Sequence, residues 1–575
     1  MTTLMIIILI STYVVLGMKV NPLPAPRNIL WKDDLTIKFD ENMQLNINGE
    51  SAIIKGAFHR TLNTIKDLKW TPAATEVEYS RYKQTVQTVM DKANVSTVNQ
   101  LNVIINDYNS PLQLGTNETY ELRIDRQLQA IRIVSETVWG ALHAFSTLQQ
   151  LVVFDDDEEI FYIEGSLEIW DAPIYQHRGL MIDTGRNFLT VESILAQIDI
   201  MSLSKMNSLH WHLEDSQSWP LYISSYPEMT VDAYSKEEIY TPEEIRHIVQ
   251  YASERGVRII PEIDMPGHAR AGWRQIDSEI ISCGAIPWTH NIAVEPPAGQ
   301  LDIANDHTYT VVKKVYDEIS SLFNDHVFHI GADEVNKVCY DYSNYVQDWY
   351  KRNSSLTVKD LMQHWLDKSL PIFRNRKGRR LTMWEDIVTS TSSAIRIPKD
   401  VILQCWRFGE SSIKELTDLG YDIIISTASH LYLDCGYGGF VTNDLRYIDS
   451  EKNKEFNRGN GGSWCNPYKT WQRIYSYDFA ANLSQAQKDH ILGVEVALWS
   501  EQVDSTVLSQ KIWPRTAALA ELTWSGNKVV GTEKLRTNSL TQRLFNFREY
   551  LVALGYNVSP LVPKYCIKNP HACDL

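Results

Sequence analysis

HVFHIGADEV, residues 326–335, is a short apolar run that ends in two adjacent carboxylates. A run of this length closed by a glycine turn reads as a buried strand with its chemistry at the C-terminal end. The same design recurs on both sides of it. Before it stand HRGLMIDT (177–184), NSLHWHL (207–213) and VRIIPEID (257–264). After it stand LTMWED (381–386), VILQCW (401–406), YDIIIST (421–427) and ILGVEVALW (491–499). Helical stretches lie between most of them, such as TPEEIRHIVQYASERG (241–256), opened by a threonine cap and a first-turn proline. Eight such strands spread over about 400 residues predict an α/β fold, a (β/α)8 TIM barrel with inserted loops.

Polar and aromatic residues gather at the C-terminal strand ends: Asp183, His212, Asp215, Asp264, His268, Asp333, Glu334, Trp384, Glu385, Trp406, Trp499 and Glu501. Barrel enzymes place their chemistry on that face. A doubly wound sheet is the alternative, but it predicts one crevice rather than a ring of polar strand ends. Neighbouring side chains on a strand point to opposite faces. Asp333 and Glu334 are therefore expected to act on different parts of one substrate, unless the strand end bends. A solvated acidic turn is the bland reading of an isolated Asp-Glu, and the polar ring argues against it. With 17 Trp and 28 Tyr, the chain can offer flat aromatics to the apolar faces of sugar rings. Any one Trp is more often core, but Trp211, Trp384, Trp406 and Trp499 all lie at or near strand ends.

Residues 18–173 mix strand-like segments, LNVIIND (101–107) and YELRID (120–125), with a helix candidate, TVWGALHAFSTLQQLV (137–152). This is a smaller α+β domain without a catalytic constellation, leaving 174–575 to the barrel. Two domains suit 575 residues with 44% hydrophobic and 22% charged side chains. The formal net charge of -16 repels phosphate backbones and argues against nucleic acid. It suits a neutral or cationic ligand.

Leu4 to Leu16 is mostly apolar and shorter than the roughly 20 residues a membrane span requires. With small Val15 and Gly17 before a cleavage site, residues 1–17 read as a signal peptide, a retained anchor being the alternative. Removal would leave no membrane span and a secreted chain, in the medium, the cell wall or a vacuole. The sequons at Asn94, Asn117, Asn353 and Asn482 agree with export. Seven cysteines in an exported chain suggest disulfides with one thiol left over. Cys566 and Cys573 would staple the C-terminus, while Cys283 with Cys339 and Cys435 with Cys465 would each close a loop. Cys405, inside VILQCW, reads as a buried free thiol.

The motifs HRGLMIDTGRNF, HWHLEDSQSWP, PEIDMPGHA, HIGADEV, LTMWED, LYLDCG and EVALWSEQVD, in that order, resemble family 20 of the glycoside hydrolases, the β-N-acetylhexosaminidases. The resemblance runs from residue 177 to about 525, and the start NPLPAPRNILW looks like the secreted fungal members. It implies an exo-acting, retaining, substrate-assisted hydrolysis of terminal N-acetylglucosamine or N-acetylgalactosamine, an exception to the two-carboxylate scheme. The substrate's 2-acetamido oxygen would attack the anomeric carbon and form an oxazolinium ion. The resemblance makes Glu334 the acid/base, its pKa raised by burial or by the charge of Asp333. Asp333 would hold the acetamido N–H, and Tyr432 the acetamido oxygen. Arg178 would bind the ring hydroxyls at positions 3 and 4. Trp384, Trp406 and Trp499 would line the acetamido pocket, and Asp434 and Glu501 would bind outer hydroxyls. Asp215 and His268 would support Glu334. No cofactor enters this scheme, and a homodimer is expected because family members commonly form one.

Two other functions compete. A metal-dependent barrel hydrolase could use His210 and His212, but it also needs histidines near the fifth and sixth strands, which have none. Two histidines packed under the site is the simpler reading. A non-catalytic sugar-binding protein would be expected to lose Asp333, Glu334 or Tyr432, and all three are present.

Overall fold

The computed structural model describes residues 21–575 apart from 34, 74–94, 354, 390–394, 459–462 and 570–571. The signal-peptide reading and the Asn94 sequon lie outside the described residues. Asn117, Asn353 and Asn482 are exposed. Among the described residues no helix is long and apolar enough to cross a membrane.

The first layer is an eight-stranded mixed sheet. Its strands are β1 (Asn28–Trp31), β2 (Ile37–Ile47), β3 (Ser96–Asp107), β4 (Tyr120–Asp125), β5 (Ala130–Thr137), β6 (Val153–Asp155), β7 (Ile160–Ile163) and β8 (Leu167–Asp171). They lie side by side in the order β1-β8-β4-β5-β3-β2-β7-β6. Burial alternates along β4, as it must when one face is covered. Helix Ala52–Leu68 and helix Val138–Leu151 cover that face. The second is buried at almost every position because it also packs against helix Val191–Leu203 of the barrel.

Eight parallel strands close the barrel: His177–Asp183, Ser208–His212, Arg258–Glu262, Val327–His329, Arg380–Trp384, Ile402–Cys405, Ile423–Ile425 and Ile491–Leu498. The register puts Asp183, His212 and Glu262 at one level, next to His329. A continuous apolar shell lies between strands and helices. Disulfides join Cys283 to Cys339, Cys435 to Cys465 and Cys566 to Cys573. Cys405 is a buried free thiol.

Arg178 does not reach the C-terminal face. It opens the first strand at the other end of the barrel, roughly 16 Å from Asp183 at 3.3 Å per residue. Its side chain is fully buried against the sheet domain. The guanidinium donates to both Glu118 oxygens at 2.9 and 2.6 Å and to the Lys205 carbonyl at 2.8 Å. His143 meets the same carboxylate at 2.8 Å. Beside them Lys205 pairs with Asp171 at 2.9 Å, and Trp524 donates its indole N–H to Asp171 at 2.8 Å. The two domains thus meet through buried, mutually neutralised charges.

Burial would raise the Glu118 pKa, but Arg178 and His143 outweigh it and hold the carboxyl at about 2, against an ordinary 4.5. A depressed carboxyl stabilises the fold above its unfolded value, and that stabilisation is lost as the pH falls through the folded one. Glu118→Gln is therefore expected to cost about 3–5 kcal/mol near neutral pH. The difference from wild type should shrink as the pH falls from 4.5 towards 2. Thermal unfolding of both proteins across that range measures it. A pH-independent difference would mean that packing, not charge, carries the contact.

Candidate active site

The strand that carries Asp333 and Glu334 ends early, at His329. Gly331, Ala332 and Glu334 then take φ values of +67°, +77° and +50°. At Gly331 a Cβ would sit 1.7 Å from Asp264 Oδ1, so only glycine fits. Left-handed backbone at Ala332 and Glu334 costs about 1–3 kcal/mol each, which the surrounding contacts must hold in place. Asp264 Oδ1 does part of this by accepting the Ala332 N–H at 3.0 Å. The bend cancels the alternation of a straight strand. Both carboxyls turn to the same histidine: Glu334 Oε2 lies 3.2 Å and Asp333 Oδ2 3.8 Å from His268 Nε2.

The other ring nitrogen of His268 meets Asp215 Oδ1 at 3.1 Å. Burial lowers the pKa of His268, yet Asp215, Glu334 and Asp333 overcome it and hold the imidazole charged, well above its usual value. Asp215 is fully buried and lies well below the carboxylate range; burial opposes this, and Arg186 and His268 prevail. Arg186, three residues beyond the first strand, is 3.0 Å from Asp215 and is also paired with Glu295. Its guanidinium stands 4.8 Å over the Trp499 ring.

Asp333 is pushed well above the carboxylate range by burial first and then by Asp264, with His268 pulling the other way. Asp264 and Asp386 are each raised to about 7, chiefly by burial. Asp386 accepts the Trp406 indole N–H at 2.5 Å and sits close to the Glu334 backbone N–H, 3.5 Å away. The carboxyls of Asp264, Asp333, Glu334 and Asp386 outnumber the cations beside them, His268 and Arg407, and such a cluster favours positive charge developing within it.

Next to this cluster stands an aromatic box. Tyr432 and Trp406 are parallel at 6.1 Å, Tyr432 meets Trp499 at 6.1 Å, and Trp384 meets Trp499 at 5.9 Å. All four rings are buried. Trp384 is fixed by its indole N–H, which Glu262 accepts at 2.8 Å. The Cys435–Cys465 bridge packs on the box and anchors the residue on either side of it. On one side is Asp434; on the other is Trp464, which is 65% exposed and stands edge-on to Trp406 and Tyr432. Asp434 and Glu501 line a cavity of about 680 Å³ together with Trp288, Phe440, Arg446 and Trp464. Buried Asp333 Oδ1 and Asp434 Oδ1 have no hydrogen-bond partner among the described residues, the mark of groups that await a polar ligand.

The structure thus gathers Asp215, His268, Asp333, Glu334, Trp384, Trp406, Tyr432, Asp434, Trp499 and Glu501 on one face, and Arg178 on the other. Sequence reasoning missed Arg186, Glu295 and Trp464. Arg186 carried a signal: RGLMIDTGR (178–186) has an arginine at each end, and only the second follows the C-terminal end of the strand. Glu295 and Trp464 come from long loops, where no periodicity points to a site.

Comparison with known proteins agrees with this geometry. The model of glycosyl hydrolase family 20, catalytic domain, matches residues 175–527, and a beta-acetyl hexosaminidase-like domain matches residues 22–151. A beta-hexosaminidase of Emericella nidulans is 47% identical, covering 98% of this chain and 96% of that one. A chitooligosaccharidolytic beta-N-acetylglucosaminidase of Bombyx mori is 34% identical over 81% of this chain and 76% of its own. Among solved structures, a Flavobacterium johnsoniae chitobiase superposes with a TM-score of 0.70 at 26% identity, covering 92% of this chain and 73% of that one. With this match spanning the barrel and its catalytic face, the chain belongs to glycosyl hydrolase family 20.

Proposed function

We infer that the cleft removes terminal, non-reducing β-linked N-acetylhexosamine units with retention of configuration, the substrate's own acetamido group acting as nucleophile. One observation carries the mechanism: both carboxyls converge on His268 Nε2. A retaining enzyme of the two-carboxylate kind needs its nucleophile across the sugar from its acid. In our reading Asp333 and Glu334, both on His268, leave that nucleophile to the substrate. The acetamido carbonyl oxygen bonds to C1 as the C1–O bond to the leaving group breaks, and Glu334 gives its proton to the departing oxygen. Water then adds to C1, passes a proton to Glu334 and reopens the ring. In this reading Asp333 accepts the acetamido N–H and balances the charge of the oxazolinium. Tyr432 donates to the acetamido oxygen within the box of Trp384, Trp406 and Trp499. Arg186 takes the role expected of Arg178, reaching the ring hydroxyls with Asp434 and Glu501.

The test is paired chromogenic substrates. The N-acetyl-β-glucosaminide should be cleaved, and the β-glucoside, which lacks the acetamido group, should not. Comparable cleavage of the glucoside would overturn substrate assistance. Short chitin oligomers are the natural substrate we propose; the exposed Trp464 at the rim and the chitooligosaccharidolytic relative support this. The disulfides fit an oxidising, extracellular setting.

Asp434 also sets a preference at position 6 of the sugar. A carboxylate facing a 6-sulfate repels it, and Arg446 in the same cavity is committed to Asp444. Burial pushes Asp434 up to about 7. Below that pH the group is neutral and can donate; above it the charge returns. The kcat/KM ratio of neutral to 6-sulfated substrate should thus exceed about tenfold in mild alkali and narrow as the pH falls through 7. A ratio near one at every pH would show that Asp434 points away from position 6.

A further inference from the structure

Beneath the cleft the barrel interior is not apolar. Asp215 Oδ2 meets His212 Nε2 at 2.9 Å, and His212 Nδ1 meets Glu262 Oε2 at 2.6 Å. Glu262 Oε2 is 3.0 Å from His210 Nε2, His210 Nδ1 is 2.8 Å from Glu495 Oε1, and Glu495 Oε2 is 2.8 Å from His177 Nε2. With Glu334 and His268 on top, this line runs from the cleft to the far end of the barrel. No side chain from Asp215 to His177 is more than 1% exposed. A hydrophobic barrel core would avoid the desolvation that these charges suffer. The line is one of contacts between charges, the Glu262–His210 ion pair included.

It holds charge in alternation. His212 and His210 each lie between two carboxylates. Burial opposes their protonation, but these neighbours hold His210 at about 9 and His212 well above its usual value. His329 and His177, each on one carboxylate, stay below the usual value through burial. Glu262 is the centre. It is faced by His210 and His212 from the second strand, by His329 Nδ1 at 2.7 Å from the fourth, and by the Trp384 indole N–H from the fifth. Asp264 and Glu214 feel its like charge, and Glu495 of the eighth strand acts on it through His210.

We propose that Glu262 is a positioning residue for the acid/base Glu334, acting through His212, Asp215 and His268; this rests on the role given to Glu334 above. Its carboxylate keeps His212 charged. Charged His212 fixes one oxygen of Asp215, and the other oxygen then orients His268 towards Glu334. Glu262 also holds Trp384, so one residue couples the acid/base to the wall of the acetamido box.

The test is Glu262→Gln, which keeps shape and removes charge. With one anion fewer, His212 should lose its proton at lower pH, and its hold on Asp215 with it. The alkaline limb of kcat/KM should move down by about one pH unit. With a poor leaving group kcat should fall about tenfold, and with an activated one much less. Independently of activity, ¹⁵N-histidine spectra should show the His212 ring titrating at lower pH. Lower thermal stability with an unchanged pH profile and unchanged His212 signals would make Glu262 merely structural and overturn the proposal. If Glu262→Gln does not fold, Glu262→Asp, which keeps the charge but withdraws it from His212 Nδ1, should give the same shifts in smaller measure; no shift there overturns it equally. Inactive wild-type protein would sink the reading of Glu334, while the His212 spectra would still decide the role of Glu262.

Discussion

Glu334→Gln is expected to slow hydrolysis of substrates with poor leaving groups by about 10²–10⁴-fold, the usual contribution of a placed proton donor. Binding of the sugar should change little. Glu334 is the least buried of the cluster, with its side chain 25% exposed, so it can meet both the leaving oxygen and incoming water. Its carboxyl is aimed by His268, which Asp215 in turn aims. The amide of glutamine keeps the contact to His268 but has no acidic proton to give. A chromogenic substrate with an activated leaving group needs no acid in the first step, so its first-step loss should be far smaller. Its second step still needs a base for water, which allows the intermediate to accumulate. Equal losses on both substrates, with no burst of released chromophore, would remove Glu334 from the acid/base role.

Asp333→Asn should lower kcat by about 10²–10³-fold, the scale of losing one group that stabilises transition-state charge. KM should move much less, since that charge is absent from the ground state. The reason lies in the surroundings of Asp333. Burial and Asp264 oppose its charge in the free enzyme, and the cation that forms beside it is what makes that charge favourable. A stable thiazoline mimic of the oxazolinium should inhibit wild type tightly and the variant far less. A mimic that bound wild type no better than free N-acetylglucosamine would mean that no such ion forms.

The barrel was legible because parallel strands buried on both faces leave uninterrupted apolar runs, and their polar C-terminal residues fall into a ring. ILGVEVALW and VRIIPEID show both signals. The relation between Asp333 and Glu334 was not legible. It depends on three left-handed residues after His329, and a sequence pattern that assumes a regular strand points these two side chains apart. The assignment of the ring hydroxyls to Arg178, with Arg186 overlooked, failed for a different reason. The motif contains both, and only the direction of the strand relative to the catalytic face separates them. His210 and His212 were rightly placed beneath the site, but the carboxylates that meet them come from other strands, Glu262 and Glu495. Such a network exists only once the barrel closes.

The charged seam between sheet domain and barrel bears on how freely this catalytic unit could be recombined. Trp524 comes from a barrel helix, yet its ring packs in the hydrophobic core of the first domain. Arg178 and Lys205 find their carboxylates, Glu118 and Asp171, on the sheet-domain side. Cut free at residue 174, the barrel would keep both cations and lose both anions, and removing one partner of a buried pair typically costs about 3–5 kcal/mol. Two such losses approach the whole stability of an ordinary domain, about 5–15 kcal/mol. The barrel is therefore not a portable cassette: a fusion or domain swap that transplants it must carry the sheet along, or first replace Arg178, Lys205 and Trp524 with residues content to face water.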